Sequence, residues 1–245
     1  MGRKYANPPI LEAVCELRFG DDTQWDLTIP GLVYEKIKEQ FPHREQRLVP
    51  RIEVKNSEEA TEQRIFTERR MFFLADDRRT SVQVGPRVLA INRLKPYEGW
   101  ERFKPAIKAA WEAVVSTAAP GTITRMGLRY INRIEVPDPE PRLEDYFDFR
   151  PFLGERLPRQ VTNFVVGCVL RLSDGPDACR IQLADALPDT TGARAFILDL
   201  DCFLDRPGTP TSKAMRWIED AHARAEEIFE GCITDRLRSV FEGVK

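Results

Sequence analysis

Charged side chains recur at alternate positions of several apolar segments, the spacing that places them on one face of a β-strand. In residues 126–136, Arg129, Arg133 and Glu135 share a face, while the opposite face is apolar apart from Asn132. The same pattern in other segments adds Glu12, Glu16, Arg18, Arg171, Arg180, Asp199 and Asp201. Such arginines can hold a carboxylate or phosphate through two hydrogen bonds, and paired aspartates can hold a cation.

Two interpretations of these charged strand faces stay open. In the first, opposite charges on neighbouring strands pair across the sheet, each pair contributing about 0.2–1 kcal/mol, and the face is solvated or covered by the other half of the chain. In the second, Arg129 and Arg133 bind an anion, while Asp199 and Asp201 bind a cation or orient the arginines. Two carboxylates alone are a weak metal signal. We therefore predict no metal site, no cofactor and no catalytic residue.

Several common chemistries are disfavoured by composition. The chain has only two histidines, His43 and His222, so a Ser-His-Asp arrangement or a three-histidine zinc site is not expected. His222 lies beside the apolar stripe of a predicted helix, which is typical of a packed, hydrogen-bonded histidine. The two glycine-rich nucleotide cradles, G-x-x-x-x-G-K and G-x-G-x-x-G, are absent. A net charge of -2 neither recruits nor strongly repels polyanions, but the acidic residues on the same strand faces argue against binding of nucleic acid.

The predicted fold class is α+β, with antiparallel sheet and helices packed on one face. Two halves, 1–121 and 122–245, each run strand, helix, several strands, helix, and are expected to pack together as one globular unit. Strands are predicted at residues 10–19, 48–54, 64–75, 81–84, 88–94, 123–136, 161–172, 179–184 and 195–204. Helices are predicted at 30–41, from 100 to the Pro120-Gly121 stop, at 143–147, and as one long helix towards the C terminus with Thr211 or Ser212 as its N-cap.

The five cysteines are widely spaced, with no C-x-x-C pair. Four fall in apolar strand patterns and the fifth in a helix, so all are predicted to be small buried residues in a reducing compartment. The sequence shows neither a secretory signal nor an apolar membrane segment, and a cytoplasmic protein is expected.

Four motifs occur in a specific order along nearly the whole chain. They are Asn7-Pro8-Pro9-Ile10 followed by Glu12 and Leu17-Arg18-Phe19, then residues 127–134 (GLRYINRI), then Leu198-Asp199-Leu200-Asp201, and finally Ile233-Thr234-Asp235 near the end of the long helix. In this order they resemble a sporadically distributed family of uncharacterised prokaryotic proteins. The resemblance implies no particular reaction. It is compatible with a bacterial defence or toxin–antitoxin setting.

We therefore expect a non-catalytic binding or interaction protein that uses the polar strand face. Its partner would be another protein or a small anionic ligand, with homodimer formation left open and no membrane role. The alternative is a phosphate- or nucleotide-binding enzyme similar to the triphosphate tunnel enzymes. Here the first strand reads Glu12-x-x-x-Glu16-x-Arg18, which differs in spacing from the E-x-E-x-K strand of those enzymes.

Overall fold

The computed structural model describes residues 3–56, 61–158, 161, 163–172 and 177–242, with the backbone alone for 51–56 and 61–65. These residues form one antiparallel sheet of nine strands, in the order β2-β3-β4-β5-β1-β6-β9-β8-β7, and five α-helices. The strands are Ile10–Phe19 (β1), His43–Asn56 (β2), Thr61–Leu74 (β3), Thr80–Gly85 (β4), Val88–Leu94 (β5), Thr122–Val136 (β6), Val165–Arg171 (β7), Asp177–Ala186 (β8) and Arg194–Pro210 (β9), and the helices are Ile29–Ile37 (α1), Trp100–Ala118 (α2), Leu143–Tyr146 (α3), Ala214–Cys232 (α4) and Asp235–Glu242 (α5).

The helices pack on one side of the sheet, which confirms the predicted α+β class. Alternate residues of the central strands are buried on that side, among them Cys15 and Leu17 of β1 and Leu128 of β6. The inner stripes of α2 and α4, which include Ile107 and Ile218, meet them in a single apolar core. None of the described helices is long and apolar enough to cross a membrane.

The two halves of the chain meet where β1 pairs with β6. In that ladder Val14 lies opposite Arg129 and Glu16 opposite Gly127. Outward from this pair, the first half continues through β5, β4, β3 and β2, and the second through β9, β8 and β7. The sheet is therefore continuous across the predicted boundary between residues 121 and 122, although the boundary itself remains a prediction.

The end of the long C-terminal helix is the clearest wrong prediction. The chain leaves the helix after Cys232, the end of α4, and starts α5 at Asp235, so Ile233 and Thr234 lie between two helices. The Thr234 hydroxyl accepts a hydrogen bond from the Leu237 N–H at 3.4 Å and donates one to the Asp145 carbonyl at 2.6 Å. A threonine that caps the next helix in this way replaces continuous helical hydrogen bonding.

Smaller differences concern element ends. A 3-10 turn occupies Thr211–Lys213, so α4 begins at Ala214 and its N-cap residue is Lys213 rather than the predicted Thr211 or Ser212. The start of α2 at Trp100 is as predicted, and the helix runs through Pro105. β7 begins at Val165 rather than at 161; Thr162 and the predicted turn at 173–176 lie outside the described residues.

Cys168 was predicted to be buried and is exposed, whereas the other four cysteines are buried as predicted. It lies on β7, the last strand of the sheet, where the described residues provide no neighbouring strand beyond it.

A pair of substitutions on β6 tests which side of the sheet is covered. Leu128→Ala should lower the free energy of unfolding by about 2–5 kcal/mol, because it opens a cavity in a fully buried position. Ile131→Ala, on the opposite side of the same strand, should cost on the order of 1 kcal/mol. Urea denaturation measures both, and equal losses would contradict the one-sided packing.

Candidate functional site

The side of the sheet away from the helices carries every site residue predicted from the sequence; we call it the open face. Strand alternation and register place them there, with Arg129 and Asp201 directly opposite each other on β6 and β9. Apolar side chains of intermediate exposure lie among the charges, including Val14, Ile131 and Phe203. The open face comprises Glu12, Val14, Glu16 and Arg18 on β1, Arg125, Gly127, Arg129, Ile131, Arg133 and Glu135 on β6, Ile197, Asp199, Asp201 and Phe203 on β9, Arg180 and Gln182 on β8, and Arg171 on β7.

Arg125 connects the charges of the two halves. Its Nη1 atom lies 3.3 Å from Glu16 Oε1 on β1, and its Nη2 atom lies 3.3 Å from Asp201 Oδ2 on β9. The guanidinium carbon is 5.6 Å from the centre of the Phe203 ring, a cation–π distance. The Arg125 side chain passes over Gly127, where a Cβ atom would lie 2.8 Å from Arg125 Nη1. The missing side chain at Gly127 thus makes room for this bridge.

Asp201 is the most buried of these carboxylates, with 9% of the residue exposed. Burial raises the pKa of Asp201 above its ordinary value, because the charged form loses hydration, and the positive charges of Arg125, Arg180 and Arg129 act in the opposite direction. The more distant of its ion pairs is with Arg180, whose Nη2 lies 3.8 Å from Asp201 Oδ2. Asp201 is therefore a desolvated charge that its neighbours only partly compensate.

Arg129 forms a two-pronged ion pair with Asp199. Arg129 Nε donates to Asp199 Oδ1 at 2.8 Å, and Nη2 donates to Oδ2. These hydrogen bonds raise the pKa of Arg129. Asp199 thus orients an arginine, one of the two roles left open for it. Among the described residues, no group of histidine, cysteine and carboxylate side chains is placed to hold a metal ion.

Arg133 has a different role from Arg129. Its Nη2 atom lies 3.0 Å from Glu135 Oε1, 2.6 Å from the Leu187 carbonyl and 2.9 Å from Asp189 Oδ1. Glu135 in turn accepts from the Asp189 N–H at 2.6 Å. Arg133 therefore fastens the connection between β8 and β9 to the end of β6, and contributes less than predicted to a free binding surface.

The outlying predicted residues spread across the face rather than joining one cluster. Glu12 accepts a hydrogen bond from Asn92 Nδ2 at 2.5 Å, towards the first half. Arg18 Nε lies 2.8 Å from Glu16 Oε1, which also pairs with Arg125. Arg171 lies exposed at the end of edge strand β7. The compact centre of the open face is therefore Glu16, Arg125, Arg129, Asp199 and Asp201.

Two cavities have lining residues from β3. One, of about 330 Å³, is lined by Arg18, Arg70, Arg87 and Thr124 together with two carboxylates. The other, of about 770 Å³, is lined by Trp25 and by apolar side chains that include Leu27, Phe66 and Met71. The arginines of the smaller cavity are paired, Arg70 with Glu68 and Arg87 with Asp21.

His222 is on the helical side of the sheet, not on the open face. Its Nδ1 atom lies 2.9 Å from the Tyr130 hydroxyl, and its ring stacks on Trp100 with centroids 4.1 Å apart. Burial lowers the pKa of His222, which favours the neutral ring. This is the packed, hydrogen-bonded histidine that the sequence predicts.

Comparisons with known proteins add little to this geometry. No protein-family model and no curated protein matches the chain. Among solved structures, the crystal structure of the di-domain ARO/CYC StfQ from the steffimycin biosynthetic pathway aligns over 95% of this chain and 98% of that chain, at 10% identity and a TM-score of 0.16. A likeness at this score carries no argument about function.

The titration of Asp201 is a direct test of the site's electrostatics. Its raised pKa means that the folded chain holds this proton to a higher pH than the unfolded chain does. Stability should therefore fall as pH rises from the ordinary aspartate value through the folded value, and Asp201→Asn should gain stability relative to the parent across that window.

Carboxyl-carbon NMR measures the titration. In the same spectrum Asp26, whose pKa the Thr28 hydroxyl lowers through a hydrogen bond, should titrate below its ordinary value and serves as a reference of opposite sign. An Asp201 pKa below 3.8, the ordinary value, would show that the three arginines outweigh burial.

Proposed function

We propose that this chain is a non-catalytic cytoplasmic binding protein, and that its open face docks a protein partner presenting both positive and negative side chains. The observation that carries the proposal is the arrangement of Arg125 between Glu16 and Asp201, against Phe203, on a side of the sheet that no described helix covers. Charges held in place and partly dehydrated before any contact lose less conformational entropy and hydration when a partner binds.

The composition of the open face supports a protein partner. Arginine and aromatic side chains are enriched where protein interfaces derive most of their binding energy, and the cation–π contact of Arg125 with Phe203 combines both. Ile131 and Val14 supply apolar area between the charges. Complementary charges around such a centre would select the partner and its orientation.

The pairing of the arginines argues against nucleic acid as the partner. Arg129 is engaged by Asp199, and Arg125 by Glu16 and Asp201, so the centre of the face has little surplus positive charge for phosphates. The linear strand order, with β2 and β7 at its ends, is also unlike the barrel of the triphosphate tunnel enzymes.

The resemblance noted in the sequence supports one source for the partner. A sporadically distributed prokaryotic family is compatible with genes that travel together in defence or toxin–antitoxin loci. We therefore propose that the partner is encoded by a gene beside that of this chain.

Matched arginine variants on opposite sides of the molecule test this function. Candidate partners are the proteins encoded beside the gene, purified and titrated against the chain by calorimetry. Arg129→Ala should weaken binding about tenfold or more, equivalent to about 1.4 kcal/mol, because it removes an interface charge and frees Asp199. Arg102→Ala, on exposed α2, is the control and should bind like the parent. Equal affinities for the two variants would place the partner elsewhere.

The smaller cavity favours a second candidate, an anionic ligand held by Arg18, Arg70 and Arg87. Its arginines already have carboxylate partners, so we expect a nucleoside triphosphate with Mg²⁺ to leave the melting temperature unchanged. A concentration-dependent rise that Arg87→Ala removes would support the anion site. Thermal melting of the parent and of Arg87→Ala, with and without the nucleotide, therefore distinguishes anion binding in the smaller cavity from partner binding on the open face.

A further inference from the structure

The outer edge of β7 is a strand edge that none of the described residues protects. β7 pairs with β8 on one side, and no described residue pairs with its other side. Its sequence, VVGCVLR, has apolar residues on both faces and a charge only at the end. Val165 is 69% and Val169 is 59% exposed. A row of free backbone donors and acceptors flanked by exposed apolar side chains is a template for another strand.

The opposite edge of the sheet shows how this chain protects a strand when it must stay free. β2 contains Pro50, which lacks the N–H needed for pairing, and charged residues that include Arg44, Glu45 and Arg47. Proline and charge are the features that prevent edge-to-edge association. β7 has no proline, and its one charge, Arg171, is at the end of the strand, so its edge differs from one adapted to face solvent.

We propose that β7 pairs antiparallel with β7 of a second copy, which joins two sheets into one. The inference is independent of what the open face binds. A twofold axis perpendicular to the sheet keeps the helices of both copies on the same side, and directly opposite residues in an antiparallel pair point to the same side. Because side chains alternate between the two sides of a strand, a residue of one copy can then lie opposite only those residues of the second copy whose sequence numbers differ from its own by an even number or by zero. Centred on the middle of β7, it sets Cys168 opposite Cys168 of the second copy.

This register is self-complementary, which is the reason for a second copy rather than an unrelated strand. On the helical side it places Val166 opposite Leu170 of the second copy, apolar against apolar. On the open side Arg171 falls opposite Val165 of the second copy, so the two Arg171 side chains do not meet. Like charges directly opposite each other would destabilise such a pair, and this register avoids them.

Two substitutions on opposite edges of the sheet test the association. Sedimentation analysis should give a dimer for the parent chain and a monomer for Val169→Lys, which places like charges near the axis. Leu48→Lys, at an exposed position of β2, is the matched control and should remain dimeric. Circular dichroism confirms that both variants are folded. A monomeric parent, or a dimer that Val169→Lys does not weaken, would overturn the proposal.

Oxidation tests the register. Opposed Cα atoms in an antiparallel pair are about 4.5–5.5 Å apart, within the disulfide range. Diamide, which takes two electrons and two protons from a pair of thiols, should link the parent into a covalent dimer through Cys168, the exposed cysteine. Cys168→Ser should abolish the link while leaving the non-covalent dimer intact. A dimer that forms no Cys168 disulfide would contradict this pairing.

Discussion

The pairing of β1 with β6 is the contact on which the rest of the structure depends. It joins strands from the two halves of the chain into one hydrogen-bonded sheet and sets the register of the open face. This register places Glu16 opposite Gly127. Because Gly127 has no side chain, Arg125 can pass over it and contact both Glu16 and Asp201 on the strands to either side. A shift of one residue would turn Glu16 towards the core and Leu17 towards solvent.

Helices on one side of the sheet leave the other side with a physical problem. Strand residues there are partly dehydrated by their neighbours, yet the face must not associate non-specifically. The chain meets this with arginines and carboxylates set among a few apolar residues. Surface ion pairs typically contribute only about 0.2–1 kcal/mol, and burial of Asp201 opposes its ionisation. Stability alone gives a weak reason for this network, whereas the partner recognition that we propose gives a stronger one.

Alternation predicted the open face well because strand geometry has a strict period of two. It placed Arg129, Asp199 and Asp201 on one side of the sheet, and Asn132 with the core, where the structure buries it. Arg125 was missed although it shares the alternation of Arg129 and Arg133. Its importance arises from contacts with Glu16 and Asp201, which are distant in sequence and meet only through strand order.

The other failures have the same origin in tertiary structure. Ile233 fits the apolar stripe of α4, but Thr234 ends that pattern through hydrogen bonds to Asp145 and Leu237. Cys168 fits a strand pattern, but its burial depends on having a strand on both sides. The distinction between the roles of Arg129 and Arg133 could not be predicted either, because it depends on where the Leu187 carbonyl and Asp189 fall.

Native-state hydrogen exchange of the backbone amides tests most directly whether β1 and β6 make the two halves one structure. We predict that amides of β5, β1, β6 and β9 exchange most slowly, with a common free energy of opening and a common dependence on denaturant. If β1 with β5 opened separately from β6 with β9, the halves would be independent units. The shared face built across their junction would then not exist as a single surface.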